Sequence, residues 1–289
     1  MNILWLEQPL CQDVALVGGK AANLSRLAAA YRVPPGLCLT TVAYDQWLAA
    51  GKENGMDTWP SALRAELAQA YQELAQRCGL DLPVVAVRSS AIDEDSQDAS
   101  FAGQYETYLN ITGVDAVAAS VSRCWESTRS PQVLEYRRQY GLPCDNIQIA
   151  VLVQQMVAAD VAAVVFSANP VSGQRTEVVI NASWGLGESI VGGTVTPDTY
   201  IVDKESLQIS ERQIADKQRM TVAQTEGTKE VDVPRFMRSQ PTLDDEKAVE
   251  MARLALALEE EMGWPVDLEC AYHGNDLYLL QCRPITTLT

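Results

Sequence analysis

Apolar positions along the chain change period several times, and each change predicts an element. After Gly18-Gly19-Lys20, Leu24 and Leu27 recur at helical spacing, which predicts an amphipathic helix over Ala21–Tyr31, stopped by Val33-Pro34-Pro35-Gly36. Further helices are predicted near Val42–Ala50, from Pro60 to Gly79, near Asp115–Thr128 and near Pro131–Tyr140. Val84-Val85-Ala86-Val87 reads as a buried strand running into Arg88-Ser89-Ser90, and Phe101–Ile111 as a strand by alternation. Ile147–Met156, Val161–Phe166 and Val178–Asn181 are predicted strands, and a glycine-rich turn, Gly185-Leu186-Gly187-Glu188, follows them. Thr242, with Asp245 three residues on, is close to a capping box and is expected to start a helix that runs to Gly263. Two strands, Val266–Tyr272 and Leu277–Pro284, close the chain. Helices and strands alternate irregularly, so the expected class is α+β with two lobes.

Composition narrows the function. At 289 residues, 47% hydrophobic and 21% charged, the chain has enough apolar surface for a large packed core. Its net charge of −16 repels phosphate backbones and anionic bilayers, so neither nucleic acid nor a membrane surface is an expected partner. A local basic pocket is compatible with that total. The seven cysteines (11, 38, 78, 124, 144, 270 and 282) form no C-x-x-C pair and are odd in number. That argues against a disulfide framework or zinc site and for a reducing, cytoplasmic setting. The first seven residues lack the positive n-region of a secretory leader. Gln154, Gln155 and Asp160 interrupt the most apolar stretch, Ile147–Ala168, so it reads as strands and a turn instead of a membrane span. His273 is the one histidine, which excludes His-based triads and multi-His metal sites within the chain.

Two glycine motifs fail as nucleotide signatures. Gly18-Gly19-Lys20 has Val14 where a phosphate loop needs glycine and Ala21 where it needs Ser or Thr. Gly185-x-Gly187 has Ile190 at the third dinucleotide-site position.

The closing hairpin is more informative. Odd positions are mostly polar in Asp267–Tyr272, and Gln281 and Arg283 are odd as well. If odd faces odd, Glu269 lies opposite Gln281 and Asp267 opposite Arg283, while Leu268, Cys270, Tyr272, Tyr278, Leu280 and Cys282 share the buried face. This register calls for an odd-length loop such as Gly274-Asn275-Asp276, because a two-residue loop would mix the faces. One face then gathers two carboxylates, an amide and an arginine. Oxygen donors of this kind suit Mg²⁺, and an arginine beside them suits a phosphoryl group. The competing reading is an ordinary Asp267–Arg283 surface ion pair.

Six stretches together carry a family resemblance: Leu16–Leu24, Val87-Arg88-Ser89-Ser90-Ala91, Ser100–Asn110, Val153-Gln154-Gln155-Met156, Gly185-Leu186-Gly187-Glu188 and Leu280-Gln281-Cys282-Arg283-Pro284. In this order they resemble the N-terminal ATP-binding domain of the PEP synthase, pyruvate phosphate dikinase and rifampicin phosphotransferase family. The resemblance implies an α+β ATP-grasp fold, with lobes at 1–154 and 155–289 and ATP in the cleft between them.

It also implies roles. Lys20 would reach ATP phosphates, and Arg88 would neutralise the transferring phosphoryl group. Gly103 would let backbone approach the phosphates, with the Thr107 hydroxyl nearby. Gln154 would sit near the adenine, with Met156 against the ring or simply in the core. Glu269 and Gln281 would hold Mg²⁺, Arg283 would hold phosphates, and Asp267 would support them. Glu188 is a weaker candidate. The family's usual aromatic after the hairpin Glu is Cys270 here. Related enzymes continue into a mobile domain with a phosphorylatable His and an acceptor domain, and His273 matches no relay motif. The expectation is therefore a dikinase-type kinase domain that needs such a His-bearing partner and an acceptor. A non-catalytic ATP-binding module, or a stand-alone ATP-grasp ligase making ADP, are the alternatives.

Overall fold

The structure, a computed structural model, describes residues 1–54, 58–93, 105–225 and 227–288. The chain divides into two compact units: Met1–Ala30 with Pro34–Met156, and Tyr31–Val33 with Val157–Thr289.

The first unit contains β1 (Ile3–Trp5), α1 (Val14–Leu27), β2 (Gly36–Leu39), α2 (Thr41–Asn54), α3 (Ser61–Cys78), β3 (Val84–Ala91), β4 (Thr107–Thr112), α4 (Val114–Ser127), α5 (Pro131–Gln139) and β5 (Ile149–Gln155). Its antiparallel sheet has the order β1-β2-β5-β3-β4. The period-2 alternation sends Leu37, Leu39, Val85, Val87, Val151 and Val153 to one face. There they pack with Tyr44, Trp47, Leu67, Val121 and the fully buried Trp125 from the helices. α1 lies on the opposite face, where Ser90 of β3 meets it.

α1 starts earlier than its sequence predicts. The Asp13 carboxylate accepts the Ala15 N–H and opens a first turn, and the helix then kinks at Gly18 (φ 72°, ψ 171°). Ser90 repairs the kink: its hydroxyl donates to the Val17 carbonyl at 2.7 Å and accepts the Ala21 N–H at 3.2 Å. A Cβ on Gly18 would stand 2.1 Å from the Ser90 carbonyl oxygen. Gly18→Ala therefore combines overpacking with left-handed strain and is expected to cost about 2–4 kcal/mol. Urea denaturation checks this; a loss below about 1 kcal/mol would contradict the close approach.

The second unit contains β6 (Val161–Phe166), β7 (Glu177–Trp184), α6 (Glu188–Val191), β8 (Asp198–Asp203), β9 (Ile209–Gln213), β10 (Arg219–Ala223), β11 (Thr228–Asp232), α7 (Asp245–Met262), β12 (Val266–His273) and β13 (Asp276–Pro284). Six strands form an antiparallel sheet, β13-β12-β6-β7-β8-β9, and β10 pairs with β11. The row Leu268–Val165–Ile180–Tyr200 faces α7, whose Met251, Ala255 and Leu258 are fully buried. Tyr31–Val33 belongs with this sheet: the Arg32 carbonyl accepts the Leu279 N–H, and Arg32 pairs with Asp276.

The observed class is α+β. β8 to β11 escaped the sequence reading; β9 is largely exposed, and β10 and β11 bury only Thr221 between them. Thr242 does not cap α7. Its N–H and hydroxyl both donate to the buried Asp198 carboxylate, and Asp244 takes the cap by accepting the Lys247 N–H at 2.8 Å. Among the described residues, no helix is long and apolar enough to cross a membrane.

Candidate functional site

The first unit gathers its candidate residues on the face that carries α1. Arg88 pairs directly with Thr107 on β4 and with Leu152 on β5, and Ala86, two residues back, pairs with Gln154. Directly paired residues share a sheet face, so Arg88, Thr107 and Gln154 project to one side. Thr107 depends on a bulge: Val85 pairs with Ile111 but Val87 pairs with Tyr108, and Asn110 has φ 59°. The extra residue lets both Tyr108 and Ile111 pack on the helix-side core, which turns Thr107 over to Arg88. Lys20 precedes Ala21, whose N–H meets Ser90, and Ser90 lies two residues beyond Arg88 on the same face. The Lys20 charge also reaches the Cys124 thiol. Burial pushes that thiol up to about 12, a Ser89 hydrogen bond and the Arg123 and Lys20 cations pull against the rise, and Glu106 adds to it.

Gln154 is buried at 2% exposure and donates to the Pro34 carbonyl at 3.3 Å. The Met156 sulfur accepts the Asn110 N–H at 3.2 Å. Gly103 lies outside the described residues. Asp93, two residues past the end of β3, is ion-paired with Arg137 at 2.6 Å, so its charge is balanced.

In the second unit, Glu269 lies opposite Gln281 and Asp267 opposite Arg283. The loop is not the odd-length one expected. His273 pairs with Asp276 across a two-residue Gly274-Asn275 turn, with Gly274 at φ 61°. A bulge reconciles the faces: Glu269 pairs with Gln281 but Cys270 pairs with Leu279, so β13 carries one extra residue at Leu280. Leu279 thereby replaces Tyr278 and Leu280 on the buried side, where Leu268, Cys270, Tyr272 and Cys282 stay.

The polar face is less open than the alternation implied. Asp267 and Gln281 are 7% and 3% exposed, and Glu269 and Arg283 are half-buried. Arg283 donates through Nε to Asp267 Oδ2 at 2.8 Å, with Nη2 2.7 Å from the same oxygen. The ion pair is thus real and mostly buried, and it fixes the guanidinium beside Glu269 and Gln281. A glutamate and an amide in one rung, with an arginine in the next rung on the same face, can offer oxygen ligands to a hard cation and donors to an anion.

Sequence reasoning did not find the rest of this face. The pairing continues from Glu269 through Val164 to Asn181 and Thr199, and the Thr199 hydroxyl donates to Asn181 Oδ1 at 3.0 Å. Alternation in β7 marks Asn181 as off the core, but only the register of three strands puts it on the same face as Glu269. The Glu188 carboxylate accepts the Thr228 hydroxyl at 2.6 Å. His273 is exposed, with Nδ1 2.8 Å from the Ala158 carbonyl oxygen.

Comparison with known proteins gives this arrangement a family. The sequence family described as pyruvate phosphate dikinase, AMP/ATP-binding domain, matches residues 55–289. A probable phosphoenolpyruvate synthase of Methanocaldococcus jannaschii is 39% identical over 99% of this chain and 27% of its own length. The phosphoenolpyruvate synthase of Pyrococcus furiosus is 36% identical over 99% of this chain and 44% of its own length. A rifampicin phosphotransferase of Streptomyces sviceus is 38% identical over 96% of this chain and 35% of its own length. The chain thus spans between about a quarter and under half of these relatives. Among solved structures, D-alanyl-alanine synthetase A of Vibrio cholerae is similar at 12% identity with a TM-score of 0.36, over 93% of this chain and 58% of that one. With the family match over most of its length and relatives above one-third identity along nearly all of it, this chain belongs to the pyruvate phosphate dikinase AMP/ATP-binding domain family.

Proposed function

We propose that the chain binds Mg·ATP and activates it for a dikinase-type phosphoryl transfer. In this reading the β-phosphoryl group passes to an imidazole on a separate domain or chain and AMP is released. The γ-phosphoryl group goes to water or inorganic phosphate, and the phospho-imidazole then serves an acceptor such as pyruvate or a small-molecule hydroxyl. The observation that carries the reading is the rung pairing Glu269 with Gln281, next to the Asp267–Arg283 rung.

Among the described residues, no group of three or more His, Cys, Asp or Glu side chains is placed to hold a metal ion. Glu269 and Gln281 still fit Mg²⁺, which commonly takes one or two protein oxygens and completes its shell with phosphate and water oxygens. When bound, the ion would neutralise charge on the phosphates. Arg283, oriented by Asp267, would donate to a phosphate oxygen. Lys20 and Arg88 supply positive charge, and Thr107 a hydroxyl donor, on their own face of the first unit. Gln154 and the backbone after it would serve the adenine.

His273 does not fit the relay. It lies four steps along the strand from Glu269, on the order of 13 Å, against the roughly 3–3.5 Å needed for attack. The isolated chain is therefore expected to bind Mg·ATP without labelling itself, and His273→Gln to change nothing. Incubation with β-³²P-ATP, with and without a chain carrying the mobile histidine, tests this. Acid-labile label on the isolated chain that disappears in His273→Gln would refute the scheme. Release of ADP instead of AMP in the presence of the partner would favour the ligase reading.

A further inference from the structure

We infer that Arg137 is a positioning residue for Arg88 and Thr107, acting through the two chain segments that leave their strands. This rests on the reading of Arg88 and Thr107 as phosphate-side groups. Arg137 is on α5, whose start is capped by the Ser130 hydroxyl and whose Val133 is fully buried in the core. The Arg137 side chain is 5% exposed. Its Nη1 lies 2.6 Å from Asp93 Oδ2 and donates to the Tyr105 hydroxyl at 3.3 Å, while its Nε donates to the Pro143 carbonyl at 2.6 Å. Asp93 stands two residues after the end of β3, and Tyr105 two residues before the start of β4. One guanidinium therefore holds both strand extensions to one point on α5.

Between that point and the site, the pairing is short. Arg88 pairs with Thr107, and the Ser89 N–H donates to the Glu106 carbonyl at 3.1 Å. That bond continues the β3–β4 ladder past the Arg88–Thr107 pair, toward the segments that Arg137 holds, and the ends of a ladder open more easily than its middle. Arg137 closes the arrangement from beyond it. A buried ion pair is poor as a source of stability, since well-packed apolar side chains do as well or better. What it supplies is a fixed geometry. Three acceptors at three positions match the planar fork of arginine, and the single ammonium of lysine does not reach them together.

The experiment uses the full chain and the Arg137→Lys variant, which keeps the charge and removes the fork. Amide exchange is followed by NMR, ATP affinity by calorimetry with Mg²⁺ present, and global stability by thermal unfolding. The expected result is exchange at the Ser89 amide faster by roughly tenfold, β2 amides unchanged, a Tm within about 3 °C of the parent, and ATP affinity weaker by roughly tenfold. Unchanged Ser89 exchange would overturn the inference. So would faster exchange with unaltered ATP affinity, or a uniform rise in exchange with a matching fall in Tm, which is the signature of a merely structural residue. Arg88→Gln serves as the separate control on the site. If it binds ATP as the parent does, the phosphate role of Arg88 fails, while Ser89 exchange still reports whether Arg137 sets the strand ends.

Discussion

Lys217→Met is expected to destabilise the second unit by about 3–5 kcal/mol, the usual cost of removing one partner from a buried ion pair. Lys217 and Asp198 are both fully buried, with Nζ 2.5 Å from Oδ1. Asp198 also accepts the Ala215 N–H at 2.9 Å, the Thr242 N–H at 2.8 Å and the Thr242 hydroxyl at 2.9 Å. These neutral donors would remain in the variant, but the carboxylate would be left as an uncompensated buried charge. The pair joins the start of β8, the segment before β10 and the approach to α7, so its loss should loosen three elements together. Urea denaturation followed by circular dichroism measures the effect. Adding Asp198→Asn should recover part of the loss by removing the orphaned charge. A single-variant loss below about 1 kcal/mol would show that the neutral donors suffice.

Glu269→Ala is expected to lower turnover with Mg·ATP by about 10²–10³-fold, the scale seen when one preorganised electrostatic group is removed from a site. Gln281→Ala should follow in the same direction with a smaller effect, because an amide oxygen is a weaker cation ligand than a carboxylate. Stability should hardly change in the Glu269 variant. Its side chain is half-buried on the face opposite α7, and the core row of Leu268, Cys270 and Tyr272 is untouched. Gln281 is 3% exposed, so the thermal midpoint of that variant has to be read beside its kinetics. The assay is AMP release in the presence of the histidine-bearing partner, over a Mg²⁺ titration. Parent-like turnover and an unchanged Mg²⁺ requirement in both variants would remove these residues from the cation site.

Much of the local architecture was written in short-range pattern. Leu63, Leu67 and Leu74 at helical spacing specify α3, and Gly79 ends it in the left-handed conformation at φ 65°. The apolar run before Arg88 specifies β3, and the alternation in β12 and β13 was enough to place Glu269 opposite Gln281 and Asp267 opposite Arg283. These follow from periodicity, because residues two apart share a face in a regular strand and residues four apart share one in a helix. Long-range structure decided what periodicity cannot carry. The hairpin loop came out two residues long because a bulge at Leu280 absorbed the parity, and a bulge leaves no mark in an alternating pattern. The bulge near Asn110 likewise turned Thr107 to the Arg88 side. Thr242 lost its capping role because Asp198, 44 residues earlier, competes for its hydroxyl. Asp198 with Lys217, Arg137 with Asp93 and Tyr105, and Asn181 beside Glu269 are likewise contacts between distant segments. Short-range pattern thus put Glu269, Gln281 and Arg283 on one polar face of the hairpin, whereas folding settled which buried charges are balanced and which segments are tied together, because a balanced charge is a property of two residues that only folding brings within reach.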